Sequence, residues 1–368
     1  YIVSIKSGAN FTSHLSFVDD IHKKNNKGFE GVLHEYSIGN FQGYAGHFNR
    51  SVIEQIQAHE DVAGVEDDKI WPQATSVNVM KRELTQQQSP SYGLRLISQR
   101  NRGMDTYYYD SSAGSGTYAY VLSTGIANHP EFGGRNSAGF DATRVCACIR
   151  PDACKDKDGQ GTHVAGIIGS RTYGVAKRCN LIAVKVASRG HIATSFIIEG
   201  LNWAVDDILR KRRKTKAVVN IALSVGRSIP LDNAVDQASS IQGVVVVVPA
   251  GDHDADAGNY SPGLAPGAIT VGATDQTRRR TEFSNTGRAV TIFAPGMSIQ
   301  STSINRSTRS KSGTAQAAAY VTGLILYFQG LTSLPNARAA RNHLLRNAIQ
   351  GVVRSPGSSE NLFAYNGN

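Results

Sequence analysis

A chain of 368 residues with 40% hydrophobic content can bury one large core and a small satellite domain. Its longest apolar stretches, Val244 to Val248 and the run around Val321 to Phe328, fall well short of the roughly 20 residues of a membrane span, so no membrane partner is expected. The net charge of +10 is uneven: residues 1 to 80 hold 6 basic and 10 acidic side chains, leaving 33 basic against 19 acidic beyond them, a polarity that favours docking of the front on the rest.

Taken in chain order, the first 66 residues alternate apolar runs and helical patterns: Tyr1 to Ile5, Phe11 to His22, Val32 to Tyr36, Ala45 to Phe48, Ser51 to His59, Val62 to Glu66. The order is βαββαβ, which predicts a ferredoxin-like α+β unit. Tyr1 reads as the trimmed start of a secreted chain, its signal peptide not included. A polar stretch from Gln73 to Pro90 reads as a linker, giving domains 1–80 and 81–368. Beyond it, the strand candidates Tyr118 to Leu122, Leu181 to Val186, Ala217 to Leu223, Val244 to Val248 and Ile269 to Val271 alternate with helical patterns. They predict a parallel α/β sheet covered on both faces.

Four cysteines, Cys146, Cys148, Cys154 and Cys179, permit two disulfides in any of three connectivities. A metal knot is the alternative, but the spacing lacks paired C-x-x-C. Sequons at Asn10, Asn49 and Asn305 fit an oxidising, secretory route and possible glycans. The basic run Arg210 to Lys214 follows an apolar pattern at helical spacing, from Ile197 and Ile198 to Ile208 and Leu209. Without interleaved aromatics it reads as a solvated helix end favoured by the dipole rather than a nucleic-acid patch.

Catalytic groups of open parallel sheets gather after the carboxyl ends of strands, and three such segments carry a family resemblance. Leu122-Ser123-Thr124-Gly125-Ile126, followed by His129-Pro130-Glu131-Phe132, resembles the subtilase Asp-Thr-Gly-Ile…His-Pro-Glu-Phe motif. Asp158-Gly159-Gln160-Gly161-Thr162-His163-Val164-Ala165-Gly166 resembles the motif opening the catalytic-histidine helix, and Gly313-Thr314-Ala315-Gln316-Ala317 the nucleophile helix. Thr106 to Asp110, Tyr173 to Lys177 and Asn259 to Pro262 are similar to the proteinase K-like branch of these serine proteases. The resemblance implies a seven-stranded parallel subtilisin sheet flanked by helices, preceded by an inhibitory prodomain of the I9 type.

It also implies a failed site. The nucleophile position holds Ala315, the general-base position Gln160 and the orienting carboxylate position Ser123. None of the three can serve its role in acyl transfer. Asp252 stands where the family's oxyanion-stabilising Asn belongs, an acceptor in place of a donor. The groove edge Ser-Leu-Gly-Gly reads Ala222-Leu223-Ser224-Val225, where Val225 would take the space that glycine leaves for substrate, and the opposite edge lies around His191-Ile192-Ala193. Ser298 replaces a calcium-ligating carboxylate, so no metal and no cofactor is expected. His163 reads as structural, and His253 as a surface histidine. The expected function is a secreted, non-proteolytic homologue that binds its own prodomain or a peptide or protein ligand. The alternatives are a repurposed enzyme of isomerase or cyclase type using Asp252, and a nominal endopeptidase with negligible activity.

Overall fold

The computed structural model describes residues 1–25, 28–72, 90–100, 106–143, 146–147, 155–188 and 190–367. The front forms β1 (Ile2–Ile5), α1 (Phe11–Lys24), β2 (Gly31–Ile38), β3 (Phe41–His47), α2 (Arg50–Gln57) and β4 (Val62–Glu66). Both helices start on an asparagine whose Oδ1 accepts a backbone N–H: Asn10 from Ser13 at 3.0 Å and Asn49 from Val52 at 2.9 Å. The strands pair antiparallel in the order β2-β3-β1-β4. Strand periodicity divides the sheet: Val3 and Tyr44 face the helices, while Ile2 and Ala45 face the rest of the molecule. Both faces of this small sheet are therefore covered.

Seven strands of the large sheet run parallel in the order β7 (Asn136–Asp141), β9 (Asn180–Lys185), β6 (Tyr118–Ser123), β12 (Ala217–Ile221), β14 (Val245–Pro249), β16 (Ile269–Thr274) and β17 (Ile292–Pro295). Short strands extend its edges: β8 (Cys146–Ala147) beside β7, and β21 (Leu362–Phe363) with β20 (Ile349–Gln350) beside β17. Every residue of β12, β14 and β16 is buried, as expected for strands sandwiched between helices. One face packs α3 (Tyr92–Ser98), α4 (Gln160–Gly169), α7 (Thr314–Leu331) and α8 (Ala337–Asn347). The other packs α5 (Thr194–Arg210) and α6 (Ile229–Asp236). No helix among the described residues is long and apolar enough to cross a membrane.

The front unit docks on α5 and α6 through its acidic residues. Asp68 accepts from the backbone N–H of Ser195 at 3.2 Å and from its hydroxyl, in the first turn of α5. Glu66 accepts from the hydroxyl of Ser228, the N-cap of α6, at 2.6 Å. Negative charge at a helix N-terminus is favoured by the helix dipole, so the acidic front meets two complementary ends. Residues after β4 continue as β5 (Ile70–Pro72), which pairs antiparallel with β11 (His191–Ala193), itself paired with β10 (Ala187–Ser188). The chain leaving the small domain thus adds a strand to the edge that the sequence assigns to one side of the groove. The linker expected from Gln73 onward lies outside the described residues up to residue 89.

The cysteine expectation needs correction. Cys179 is a free thiol, wholly buried just before β9, and burial pushes it up to about 12. The register of β9 against β6, with Asn180 opposite Tyr118, seals the preceding residue in the core under α4. Two bridges using all four cysteines are therefore excluded. Cys148 and Cys154 lie outside the described residues, and of Cys146 only its place in β8 is described. The basic run ends α5, where buried Asp207 holds Arg210, Lys211 and Arg213 by ion pairs of 3.1, 2.8 and 3.7 Å.

Candidate active site

The carboxyl ends of β6 and β14 and the amino ends of α4 and α7 converge at one place. Ser123 is the last residue of β6, with no exposed surface and no hydrogen-bond partner for its Oγ among the described residues. The following turn is held by Asp156, a buried carboxylate that accepts five hydrogen bonds of 2.7–2.9 Å, from the hydroxyl of Thr124, the backbone N–H groups of Asp158, Gly159 and Thr162, and the hydroxyl of Thr162. Those bonds tie β6 to the start of α4 and place Gln160 as its first residue, after Gly159 in the left-handed region at φ +87°.

Gly161 completes this joint: its N–H donates to Thr124 Oγ1 at 2.9 Å, and a Cβ there would collide with the backbone carbonyl of Gly125. Helix propensity alone favours alanine by about 1 kcal/mol. A clash with fixed backbone outweighs it, so Gly161→Ala should destabilise the chain by at least about 3 kcal/mol in urea unfolding.

Across the cleft, α7 begins at Thr314, with Ala315 as its second residue and buried. Asp252 Oδ1 accepts the Thr314 N–H at 2.7 Å, while Thr314 Oγ1 accepts from Gly251 N–H at 3.1 Å. Burial pushes the Asp252 carboxyl above its ordinary range, against the opposing pull of Thr314 and His253. Asp252 therefore closes off a helix N–H group rather than adding a donor to the site. Gln160 is likewise occupied: Lys311 Nζ donates to its Oε1 at 3.0 Å. Burial lowers the Lys311 ammonium, with Asp156 and Asp158 pulling it back up. Lys311 ends β19 (Thr308–Lys311), the hairpin partner of β18 (Ile299–Thr302).

His163 is fully buried, and its Nε2–H donates to the carbonyls of Ile299 and Arg309 at 3.0 and 2.9 Å. Burial, then the charge of Lys311, brings the ring down to about 3. It is a neutral strut between α4 and the β18–β19 hairpin. His253 is exposed and stacks on Tyr260 with ring centroids 4.4 Å apart. Ala222 and Leu223 follow β12 and are buried, as is Val225, which lies in β13 (Val225–Gly226) opposite Ser261 of β15 (Tyr260–Ser261). The Val225 side chain is buried in the core shared with α5, α6 and the front sheet. Ser224 Oγ is buried without a partner among the described residues. Ser298 has φ +51°, and its N–H donates to Ser312 Oγ at 2.8 Å.

Residues 114–365, more than half of the chain, match the model of the subtilase family. The chain belongs to the subtilase family. Residues 1–74 match the peptidase inhibitor I9 model, which makes the front unit of this subtilase an I9 prodomain. The chain is 45% identical to an alkaline proteinase of Hapsidospora chrysogena, over all of itself and 92% of that relative, and 42% identical to alkaline protease 1 of Aspergillus clavatus, over 100% and 91%. The crystal structure of a cold-adapted subtilisin-like serine proteinase superposes with a TM-score of 0.70 at 34% identity, covering 76% of this chain and 98% of the other.

Sequence reasoning missed two residues of this subtilase's site. Lys311 reaches Gln160 across 151 positions. Its only local signal is a charged side chain two residues before the Gly313-Thr314 turn. Asp156 lies in a loop with no periodicity to mark it.

Proposed function

We propose that this subtilase is a secreted, non-proteolytic binding protein that keeps its prodomain covalently attached and seated on the edge strand β11. The observation that carries this reading is the pairing of Gln160 with Lys311, together with Ala315 as the second residue of α7. Neither an amide held by an ammonium group nor a methyl group can start acyl transfer. A cation at that position would also repel the imidazolium that a general-base histidine becomes, so Lys311 fits a site not used for proteolysis. Asp252 supports the same reading, because its carboxylate oxygen takes up a helix N–H where oxyanion stabilisation needs a donor. Self-cleavage requires the missing chemistry, so the polar stretch 73–90 should remain intact.

Intact-mass measurement of chain produced in a host without other secreted proteases tests this. A single species containing residues 1–368, plus any glycan, is expected; a mature species starting near Lys81 or Glu83 overturns the proposal. Among the sequons, the exposed Asn305 in the β18–β19 turn and the exposed Asn10 before α1 are the expected glycan sites, whereas Asn49 Nδ2 already donates to the Asn25 carbonyl at 3.0 Å. A second reading, a repurposed site using Asp252 as a proton-transfer group, is favoured by its raised carboxyl. Asp252→Ala that leaves every ligand affinity unchanged removes that alternative.

A further inference from the structure

The helix-covered side of the prodomain carries a cluster that neither the subtilase site nor the docking contacts use. His14 on α1 and His59 in the turn between α2 and β4 bring their Nδ1 atoms within 3.4 Å of each other. Asp61 Oδ2 lies 3.6 Å from His59 Nδ1 and 3.9 Å from His14 Nδ1. Among the described residues this is the one grouping of three histidine, cysteine or carboxylate side chains with ligand atoms this close together. Without metal these two imidazole nitrogens can share one proton in a long hydrogen bond, and a metal ion bound through both lone pairs would take the place of that proton. At zinc–ligand distances of about 2.0–2.1 Å, the edges of a tetrahedral ligand set are about 3.3–3.4 Å, close to the spacing found here.

We propose that His14 Nδ1, His59 Nδ1 and Asp61 Oδ2 form a zinc site in the prodomain, with a fourth position open to water. The groups around the three ligands suit that role. His14 Nε2 lies 3.1 Å from the buried Tyr44 hydroxyl, and in the tautomer whose Nε2–H donates there, Nδ1 carries the lone pair that a metal requires. The side chain of His14 has no exposed surface, while those of His59 and Asp61 are 25% and 26% exposed, which leaves an entry path on one side. The His59 ring is held by Phe17 at a centroid distance of 4.3 Å, and the Asp61 backbone by its carbonyl, which accepts from Lys6 N–H at 2.8 Å. Zinc would displace two long bonds, between His14 Nδ1 and His59 Nδ1 at 3.4 Å and from Asp61 N–H to His59 Nδ1 at 3.3 Å. Two imidazoles and one carboxylate suit zinc, whereas calcium takes six or more oxygens. The bound ion would staple α1 to the α2–β4 turn on the face opposite the docked one.

The test is calorimetric titration of zinc chloride into the full chelator-treated chain, with melting temperature and cobalt(II) spectra in parallel. One equivalent of zinc, a raised melting temperature, tetrahedral cobalt absorption and no response to calcium are expected. His14→Ala risks unfolding the prodomain, so the deciding variants are at the partly exposed positions, His59→Gln and Asp61→Asn. Each should weaken that equivalent tenfold or more and abolish the melting shift, with an unchanged circular dichroism spectrum in the absence of metal. Zinc binding that survives both variants, or no binding by the parent chain, overturns the proposal.

Discussion

Ala315→Ser alone should leave the chain unlabelled by a fluorophosphonate probe and without detectable peptidase activity. The new hydroxyl would face Gln160, which cannot take its proton, and would generate an oxyanion beside the Asp252 carboxylate. In an active subtilisin the nucleophile or base alone is worth about 10⁶ in kcat, and these groups act as a unit, so single restorations recover little. The combined variant S123D, Q160H, D252N and A315S should gain at least about 10³-fold over the parent on a peptide substrate. Its remaining handicap is Lys311, whose ammonium group contacts residue 160. A histidine there would titrate at low pH beside that charge. Adding Lys311→Met should therefore move the alkaline plateau of the pH–rate profile: the rising limb shifts to higher pH as the imidazole regains its ordinary basicity. Probe labelling of the unmodified chain, or full activity from A315S alone, would refute the reading of the site.

The contributions of Glu199 and Asp232 to the stability of the folded chain should decline as pH rises from about 4.5 to about 7. Glu199 on α5 is covered by β2 and lies 3.9 Å from His34, and burial pushes it up to about 7. Asp232 on α6, hydrogen-bonded by Ser261 Oγ at 2.8 Å, is likewise pushed up to about 7, with Glu66 of the prodomain adding to the effect. Burial pulls His34 down and brings His163 to about 3, and these rings act in the opposite sense, gaining stability as pH rises through the ordinary histidine range. A carboxyl raised in the folded state contributes stability in full below its unfolded pKa and loses it as pH climbs through the folded value. Each group then costs on the order of 3 kcal/mol above pH 7 relative to pH 4.5. The Glu199 contribution is isolated by comparing variants: Glu199→Gln should raise the urea midpoint above that of the parent at pH 7.5 and leave it unchanged at pH 4.5. A shift of equal size at both pH values, or none at pH 7.5, would contradict this account.

Strands buried on both faces were the most legible part of the fold, because Val244 to Val248 and Ala217 to Ile221 are apolar without interruption and nothing but a covered parallel sheet suits them. The polar strand β7, Asn-Ser-Ala-Gly-Phe-Asp, carries no such pattern and exists because β9 offers it a ladder. The β18–β19 hairpin is hidden for a similar reason, since most of β19 is exposed. The neighbourhood of Ser123, Gln160, Asp252 and Ala315 could be found from motifs that follow strand ends. What occupies those residues could not, because Lys311 and Asp156 act through contacts that no local period encodes. The cysteines show the limit of counting: an even number suggested bridges, but the register of β9 decides that Cys179 is packed and alone. The zinc ligands escaped for the same reason, His14 and His59 being 45 positions apart.

That sealed thiol has a practical use. Buried under α4, with ionisation deferred to about 12, Cys179 cannot react with an alkylating reagent while α4 and β9 stay together. Modification of the peptide containing it, followed by mass mapping, therefore clocks the rate at which the subtilase core opens. A prodomain that acts as a permanent clamp would slow that clock, and a severed or undocked one would let it run.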